Sequence, residues 1–174
     1  MNPGAILVYN NFIDNSIIDK TLEEKMKCKI KNLMFYAMLP GGDIPPHRDM
    51  VGNVGFGGLR LHIPIVTNDK VNFVVAGKRV VMSVGELWAL DTSYTHSVSN
   101  FGNENRIHLV MDVIVNDWVL CLLPPKNFNF YLHQAHLILL GILKVFKYFT
   151  SKDLKIKDFL SVVYNSIKLK FFKK

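Results

Sequence analysis

The sequence predicts an all-β core, a barrel or double-sheet jelly roll, with an N-terminal helix and a C-terminal helical, basic extension. Three observations carry this. Between residues 31 and 115, short apolar runs alternate closely with turn residues, and no helical periodicity intervenes. Basic charge is confined to the far end: residues 126–174 carry ten Lys and two Asp, whereas residues 1–125 carry eleven Lys and Arg against twelve Asp and Glu. Finally, a His-x-Asp pair, His47 and Asp49, is followed at a distance by His96.

The bulk properties bound the problem. A chain of 174 residues, 49% hydrophobic and 20% charged, fits one domain with an appendage and builds a real core. The net charge of +7 belongs to the tail, so the body carries no basic patch and nucleic-acid binding is not expected. Cys28 and Cys121 read as reduced thiols, not as a disulfide framework. The first residues lack the pattern of a signal peptide, and the longest tail run, residues 137–143, is too short to span a bilayer. A cytoplasmic protein is expected.

In chain order, residues 5–13 predict a short strand and turn. Asp14 or Asn15 caps a helix to about Lys27, with Ile17, Ile18, Leu22 and Met26 as its apolar stripe. Residues 31–39 form a strand, and Pro40 to Asp43 a turn. Strands are expected at 44–49, 59–66, 71–75, 79–82, 86–90 and 106–115. The segment 52–58, with glycines at 52, 55, 57 and 58, reads as a flexible connection and a candidate lid beside the site. Two amphipathic helices, 133–149 and 156–170, are expected in the tail, separated by Thr150-Ser151-Lys152-Asp153. The expected division is therefore 1–30, a strand and helix leading in; 31–118, the β domain; and 119–174, the basic helical extension.

The chemistry lies in the β domain. On an extended segment, side chains repeat with period two, so His47 and Asp49 share a face. An imidazole from a distant strand, His96, completes a 2-His-1-carboxylate set, which leaves three positions of an octahedral metal open and suits non-heme Fe(II). Arg48, between the two ligands, faces away and reads as scaffold. Asp91 and Ser93, near His96, are turn residues first and candidates to orient its ring second. Two Arg-x-His strands stand out: Arg60 with His62, and Arg106 with His108. Either they point outward into solvent, or they point inward, where an arginine calls for an anion. Ten residues past His96, Arg106 is placed to fork onto the far carboxylate of a chelating dicarboxylic acid. His133 and His136 share a helix face and are read as surface residues.

The stretch from Leu39 to Val115 resembles the aspartyl/asparaginyl β-hydroxylase family of Fe(II)/2-oxoglutarate dioxygenases. The matching text is Ile44-Pro45-Pro46-His47-Arg48-Asp49, Leu59-Arg60-Leu61-His62, Gly85-Glu86-Leu87-Trp88-Ala89-Leu90-Asp91, His96-Ser97, and Arg106-Ile107-His108-Leu109-Val110-Met111-Asp112-Val113. The resemblance implies a cupin-like double-stranded β-helix with iron on His47, Asp49 and His96. It implies cosubstrate contacts from Arg106 to the distal carboxylate of 2-oxoglutarate, a hydroxyl from Tyr36 to the same carboxylate, and Arg60 and His62 near the oxoacid end or the substrate. Animal peptidyl-aspartate hydroxylases of this family lack the iron-binding carboxylate. Asp49 therefore draws the chain towards the bacterial, proline-hydroxylase-like members with a complete triad. The region before Tyr36 matches nothing in the family.

The implied reaction consumes O2 and 2-oxoglutarate, with ascorbate in support, releases succinate and CO2, and hydroxylates an unactivated C–H of a free or peptidyl amino acid. Lipid-linked substrates occur among relatives, so the Lys-, Leu- and Phe-rich tail at 126–174 fits an anionic membrane surface as well as packing on the barrel, which is preferred. Two other classes compete: a cupin-like metalloenzyme without 2-oxoglutarate, which has no use for Arg106, and a non-catalytic module with a structural metal.

Overall fold

The computed structural model describes the backbone of residues 6–10 and 15–151, and side chains from Lys20 to Tyr148. In chain order the elements are β1 (Ile6–Asn10), α1 (Asn15–Met26), β2 (Ile30–Met38), β3 (Asp43–His47), two short 3-10 turns (Met50–Gly52 and Val54–Phe56), β4 (Gly58–Val66), β5 (Val71–Val75), β6 (Lys78–Val80), β7 (Trp88–Leu90), β8 (His96–Asn100), β9 (Arg106–Ile114), α2 (Asp117–Cys121) and α3 (Phe128–Ser151). The strands form two antiparallel sheets, ordered β1-β2-β9-β4-β7 and β3-β8-β5-β6. This is the expected double-stranded β-helix.

The first sheet supplies the ordered inner face. β2, β9 and β4 lie side by side, and their registers stack polar residues in rows. Asn32, Asp112 and Arg60 share one row; Met34, Val110 and His62 the next; Tyr36, His108 and Pro64 the third; and Met38 pairs with Arg106. Because the side-chain period is two, all of these point to one side. Arg60, His62, Arg106, His108 and Asp112 are all buried, so both Arg-x-His pairs face inward. Around them, Met38, Phe73, Met82, Leu90 and Val98 form an apolar cluster that joins the two sheets.

The second sheet brings His47 opposite His96. β3 pairs with β8, and its register slips between Ile44 and His47. The cause is Pro45-Pro46: neither residue has an N–H to give the ladder, so pairing breaks there and resumes at His47.

Several boundaries differ from expectation. β3 ends at His47, and Asp49 follows on extended backbone (φ −108°, ψ 118°) just before the first 3-10 turn. The glycine-rich segment is not an open loop but a wound and anchored connection. Asn53 is fully buried, and its Oδ1 accepts from Phe56 N at 2.9 Å. Gly52 is required where it stands, since a Cβ there would collide with Thr92 Oγ1. The hairpin return is Lys78–Val80, and the strand before the His96 segment is Trp88–Leu90.

The chain divides into two compact units, Met1–Pro124 and Pro125–Lys174. In the second, α3 begins at Phe128, five residues earlier than expected, because Asn127 caps it: its Oδ1 accepts from Phe130 N at 3.0 Å. The helix continues through Thr150 and Ser151, which were expected to interrupt it. The helix expected at 156–170 and the side chains of Ile17 and Ile18 lie outside the described residues. Both cysteines are free thiols, Cys28 buried and Cys121 exposed. No described helix is long and apolar enough to cross a membrane.

Candidate metal centre

His47, Asp49 and His96 converge. One ligand atom from each lies within 4.8 Å of the others, and among the described residues this is the group of His, Cys, Asp and Glu that could hold a metal ion. His47 Nε2 is 3.8 Å from Asp49 Oδ1, and His96 Nε2 is 3.9 Å from Asp49 Oδ2. The two imidazoles lie with centroids 4.2 Å apart at 51°. Cross-strand pairing explains the histidines, and period two on the extended backbone after His47 explains Asp49.

Both rings are oriented from behind by main-chain carbonyls. His47 Nδ1 donates to Pro45 O at 2.8 Å, and His96 Nδ1 donates to Tyr94 O at 3.0 Å. With the proton on Nδ1, each Nε2 presents a lone pair to the common centre, as a metal-ligating histidine requires. Burial depresses the pKa of His96, and the neighbouring His47 adds to the effect, which favours the neutral, ligating form. Asp49 is pinned through its backbone, its N–H donating to Thr92 O at 2.9 Å. The donor set and its outer partners fit a non-heme Fe(II) centre.

Asp91 and Ser93 pair with each other in the turn before His96, whose Nδ1 is taken by Tyr94 O. Ser93 donates through both its hydroxyl and its N–H to Asp91 Oδ1, closing a turn. Arg48 is exposed and donates to Thr95 Oγ1 at 2.9 Å. His136, on α3, is exposed, and among the described residues neither it nor His133 joins a metal-holding group.

A cavity of about 230 Å³ opens beside the triad, lined by His47, Asp49, His96, Arg60, His62, Tyr36 and Arg106 among others. The two arginines differ in partners. Arg60 donates from Nε to Asp112 Oδ1 at 2.7 Å and from Nη2 to Asp112 Oδ2 at 3.2 Å, while its Nη1 donates to Asp49 Oδ2 at 2.6 Å. Burial would lower its pKa, but the Asp112 carboxylate, joined by Tyr36 and Asp49, raises it on balance. Arg106 has no carboxylate partner among the described residues. Its Nη2 meets His108 Nδ1 at 3.0 Å, its Nε has no hydrogen-bond partner, and its guanidinium lies 5.6 Å from the centroid of Phe73. Burial pushes its pKa down to about 10, so it stays cationic at neutral pH. Tyr36 lines the same cavity, its hydroxyl 3.6 Å from Met34 Sδ, and burial raises its pKa.

Three contributors had escaped the sequence reading. Asp112 is the buried counterion of Arg60 and is itself held by Asn32 Nδ2 at 3.2 Å. Thr92 anchors Asp49. Phe73 stacks at 6.5 Å on His96, edges His62 at 6.0 Å and carries Arg106. Phe73 lies in an apolar strand, and such a strand gives no sign in the sequence of what each side chain will touch.

Residues 15–115 match the family model described as aspartyl/asparaginyl beta-hydroxylase, so the match takes in the stretch before Tyr36 that was expected to lie outside the family. Among solved structures, an oxidoreductase of the 2OG-Fe(II) oxygenase family from Burkholderia pseudomallei is 17% identical with a TM-score of 0.52, over 63% of this chain and 66% of that one. A predicted oxalate decarboxylase from Thermotoga maritima is 15% identical with a TM-score of 0.44, over 63% of this chain and 81% of that one. A cupin domain from Bordetella pertussis is 14% identical with a TM-score of 0.44, over 66% of this chain and 99% of that one. At such identities the likeness to the oxygenase speaks for the fold.

Proposed function

The chain belongs to the aspartyl/asparaginyl β-hydroxylase family, and from that premise we propose that it is an Fe(II)- and 2-oxoglutarate-dependent dioxygenase acting on a free or peptidyl amino acid. The observation that carries this reading is Arg106: a buried cation without an anion partner among the described residues, lining the same cavity as the His47, Asp49 and His96 triad. A desolvated guanidinium in that position is costly unless a ligand brings the negative charge. A dicarboxylate that chelates at the triad and extends towards Arg106 satisfies both ends. A cupin-like metal protein without such a ligand leaves the charge unexplained.

Bound by these three ligands, Fe(II) would supply the O2-dependent oxidation that couples decarboxylation of 2-oxoglutarate to hydroxylation of the substrate. The protein's own part is to hold and exclude. The Pro45 and Tyr94 carbonyls keep the histidine lone pairs aimed inward. Arg60 steadies Asp49 through Oδ2. Ile44, Phe73 and Val98 give the cavity apolar walls that keep water from the reacting centre. Tyr36 offers a hydroxyl to the carboxylate that Arg106 receives.

The test is conversion of 2-oxoglutarate to succinate with added Fe(II) and ascorbate, together with calorimetric binding of 2-oxoglutarate to the Zn(II)-loaded protein. The expected result is binding and succinate release by the wild type, and loss of metal uptake in His47→Ala. A wild type that takes up metal but neither binds 2-oxoglutarate nor forms succinate overturns the reading in favour of a cupin-like metal protein.

A further inference from the structure

α3 carries a stripe of apolar surface that it does not bury. Phe128, Leu132, Leu139 and Leu143 are each more than half exposed, and Ala135 among them is exposed too. These positions run i, i+4, i+7, i+11 and i+15, so they share one face of the helix. At about 1.5 Å of rise per residue the stripe is about 22 Å long. Tyr131 and Ile138 widen it on one side. The opposite face is the one that is covered: Leu137 is buried and Phe130 partly so. The exposed stripe is thus additional to a buried face, not a substitute for it. Scattered exposed leucines need no account, but a continuous apolar strip of this length marks a surface that meets a membrane or a partner.

The charges around the stripe are of one sign. Residues 118–152 contain Lys126, Lys144, Lys147 and Lys152 and neither Asp nor Glu. Along the edge away from Tyr131 stand Asn129, His136, Lys144 and Lys147, all exposed. An isologous contact between two copies of this face sets lysine near lysine, with no carboxylate from the same stretch to pair it. An anionic lipid surface gives the lysines counterions and the stripe an apolar medium at once. The polar edge suits a helix that lies along a bilayer, and no described helix is long and apolar enough to cross one.

We propose that α3 docks the protein on an anionic membrane: the helix lies in the headgroup layer, with Phe128, Leu132, Leu139 and Leu143 against the acyl chains and Lys144 and Lys147 reaching out to lipid phosphates. Long lysine stems let the ammonium groups stay among the hydrated headgroups while the helix axis sinks. The two components divide the work. The apolar strip supplies the hold, and the lysines select the anionic surface. The docking belongs to the unit Pro125–Lys174 and stands or falls independently of the oxygenase reading.

The experiment is co-sedimentation of the full chain with vesicles of phosphatidylcholine alone and with vesicles of phosphatidylcholine and phosphatidylserine in equal parts. Expected is partition into the mixed vesicles about tenfold tighter than into the neutral ones, weakened by added salt. The double variant Leu139→Gln/Leu143→Gln keeps every charge and should lose about tenfold or more of the mixed-vesicle binding. Lys144→Gln/Lys147→Gln keeps the strip and should lose most of the preference for mixed over neutral vesicles. All four side chains are exposed, and thermal unfolding matching wild type checks that both variants fold. Recovery of the wild type that is equal with and without mixed vesicles overturns the proposal. Unchanged binding of the leucine variant does so too, because the contact then lies elsewhere in the basic tail. A lysine variant that keeps the full preference overturns the part given to Lys144 and Lys147. A wild-type dimer in sedimentation velocity without lipid, abolished in the leucine variant, overturns the lipid in favour of a second copy.

Discussion

Arg60 and Arg106 lie on adjacent strands, β4 and β9, face the same interior and line the same cavity, yet they are opposites. Arg60 is saturated by the protein's own carboxylates: Asp112 takes a two-pronged contact and Asp49 a third. Arg106 meets a ring nitrogen and an aromatic face. The contrast teaches how to read a buried cation. With internal anions it is part of the frame, here coupling the Asp49 ligand to the sheet. Without them, on the function proposed above, it takes its countercharge from a bound ligand. The two roles respond differently to the same kind of mutation, which makes the comparison breakable.

The largest effect is expected at the saturated end. Asp112→Ala strands Arg60 with most of its countercharge removed, and breaking a buried pair in this way costs about 3–5 kcal/mol. Urea denaturation should show the loss; a stability within about 1 kcal/mol of wild type would mean that Arg60 is not held by this pair. At the other end, Arg106→Leu should leave stability within about 1 kcal/mol of wild type or raise it, because it replaces an uncompensated buried charge by an apolar side chain. The same change should weaken 2-oxoglutarate binding by about 30–100-fold, the worth of a charge-assisted hydrogen-bond pair. If Arg106→Leu unfolds as readily as Asp112→Ala, the two arginines are alike and the distinction fails.

A smaller effect sharpens the Arg106 end through pH. His108 titrates at about 3 in the folded protein, against about 6.5 in the unfolded chain. Between these values the unfolded state binds the extra proton, so stability rises with pH. The contribution is fully present above about pH 6.5 and drains as pH falls towards the folded value, a loss of about 2 kcal/mol by pH 5. Chemical denaturation of His108→Gln at both pH values should show a drop smaller by about that amount. An equal drop would show that His108 is not kept neutral by its burial beside Arg106.

Much of this was legible before any coordinates. The Val-, Ile- and Leu-rich short runs broken by Gly, Pro and Asn specify strands and turns locally, so the double-stranded β-helix followed. His47, Asp49 and His96 were identifiable because a metal demands particular donor atoms and period two aligns the first pair. The inward aim of Arg60 and Arg106 remained open until burial settled it. The extent of α3 was misread because its apolar stripe is diffuse and the cap at Asn127 lies outside the periodic segment. The winding of 52–58 into short 3-10 turns was not legible, because glycine marks both freedom and close packing, and here Gly52 has the second role.

By itself, the sequence determined donor chemistry and strand character, since both depend on residue type and near-neighbour spacing. Tertiary structure alone decided which arginine owns an anion. Asp112 is 52 residues from Arg60 in the chain and directly opposite it in the sheet. Asp112 is six residues from Arg106 on the same strand, yet register hands it to Arg60.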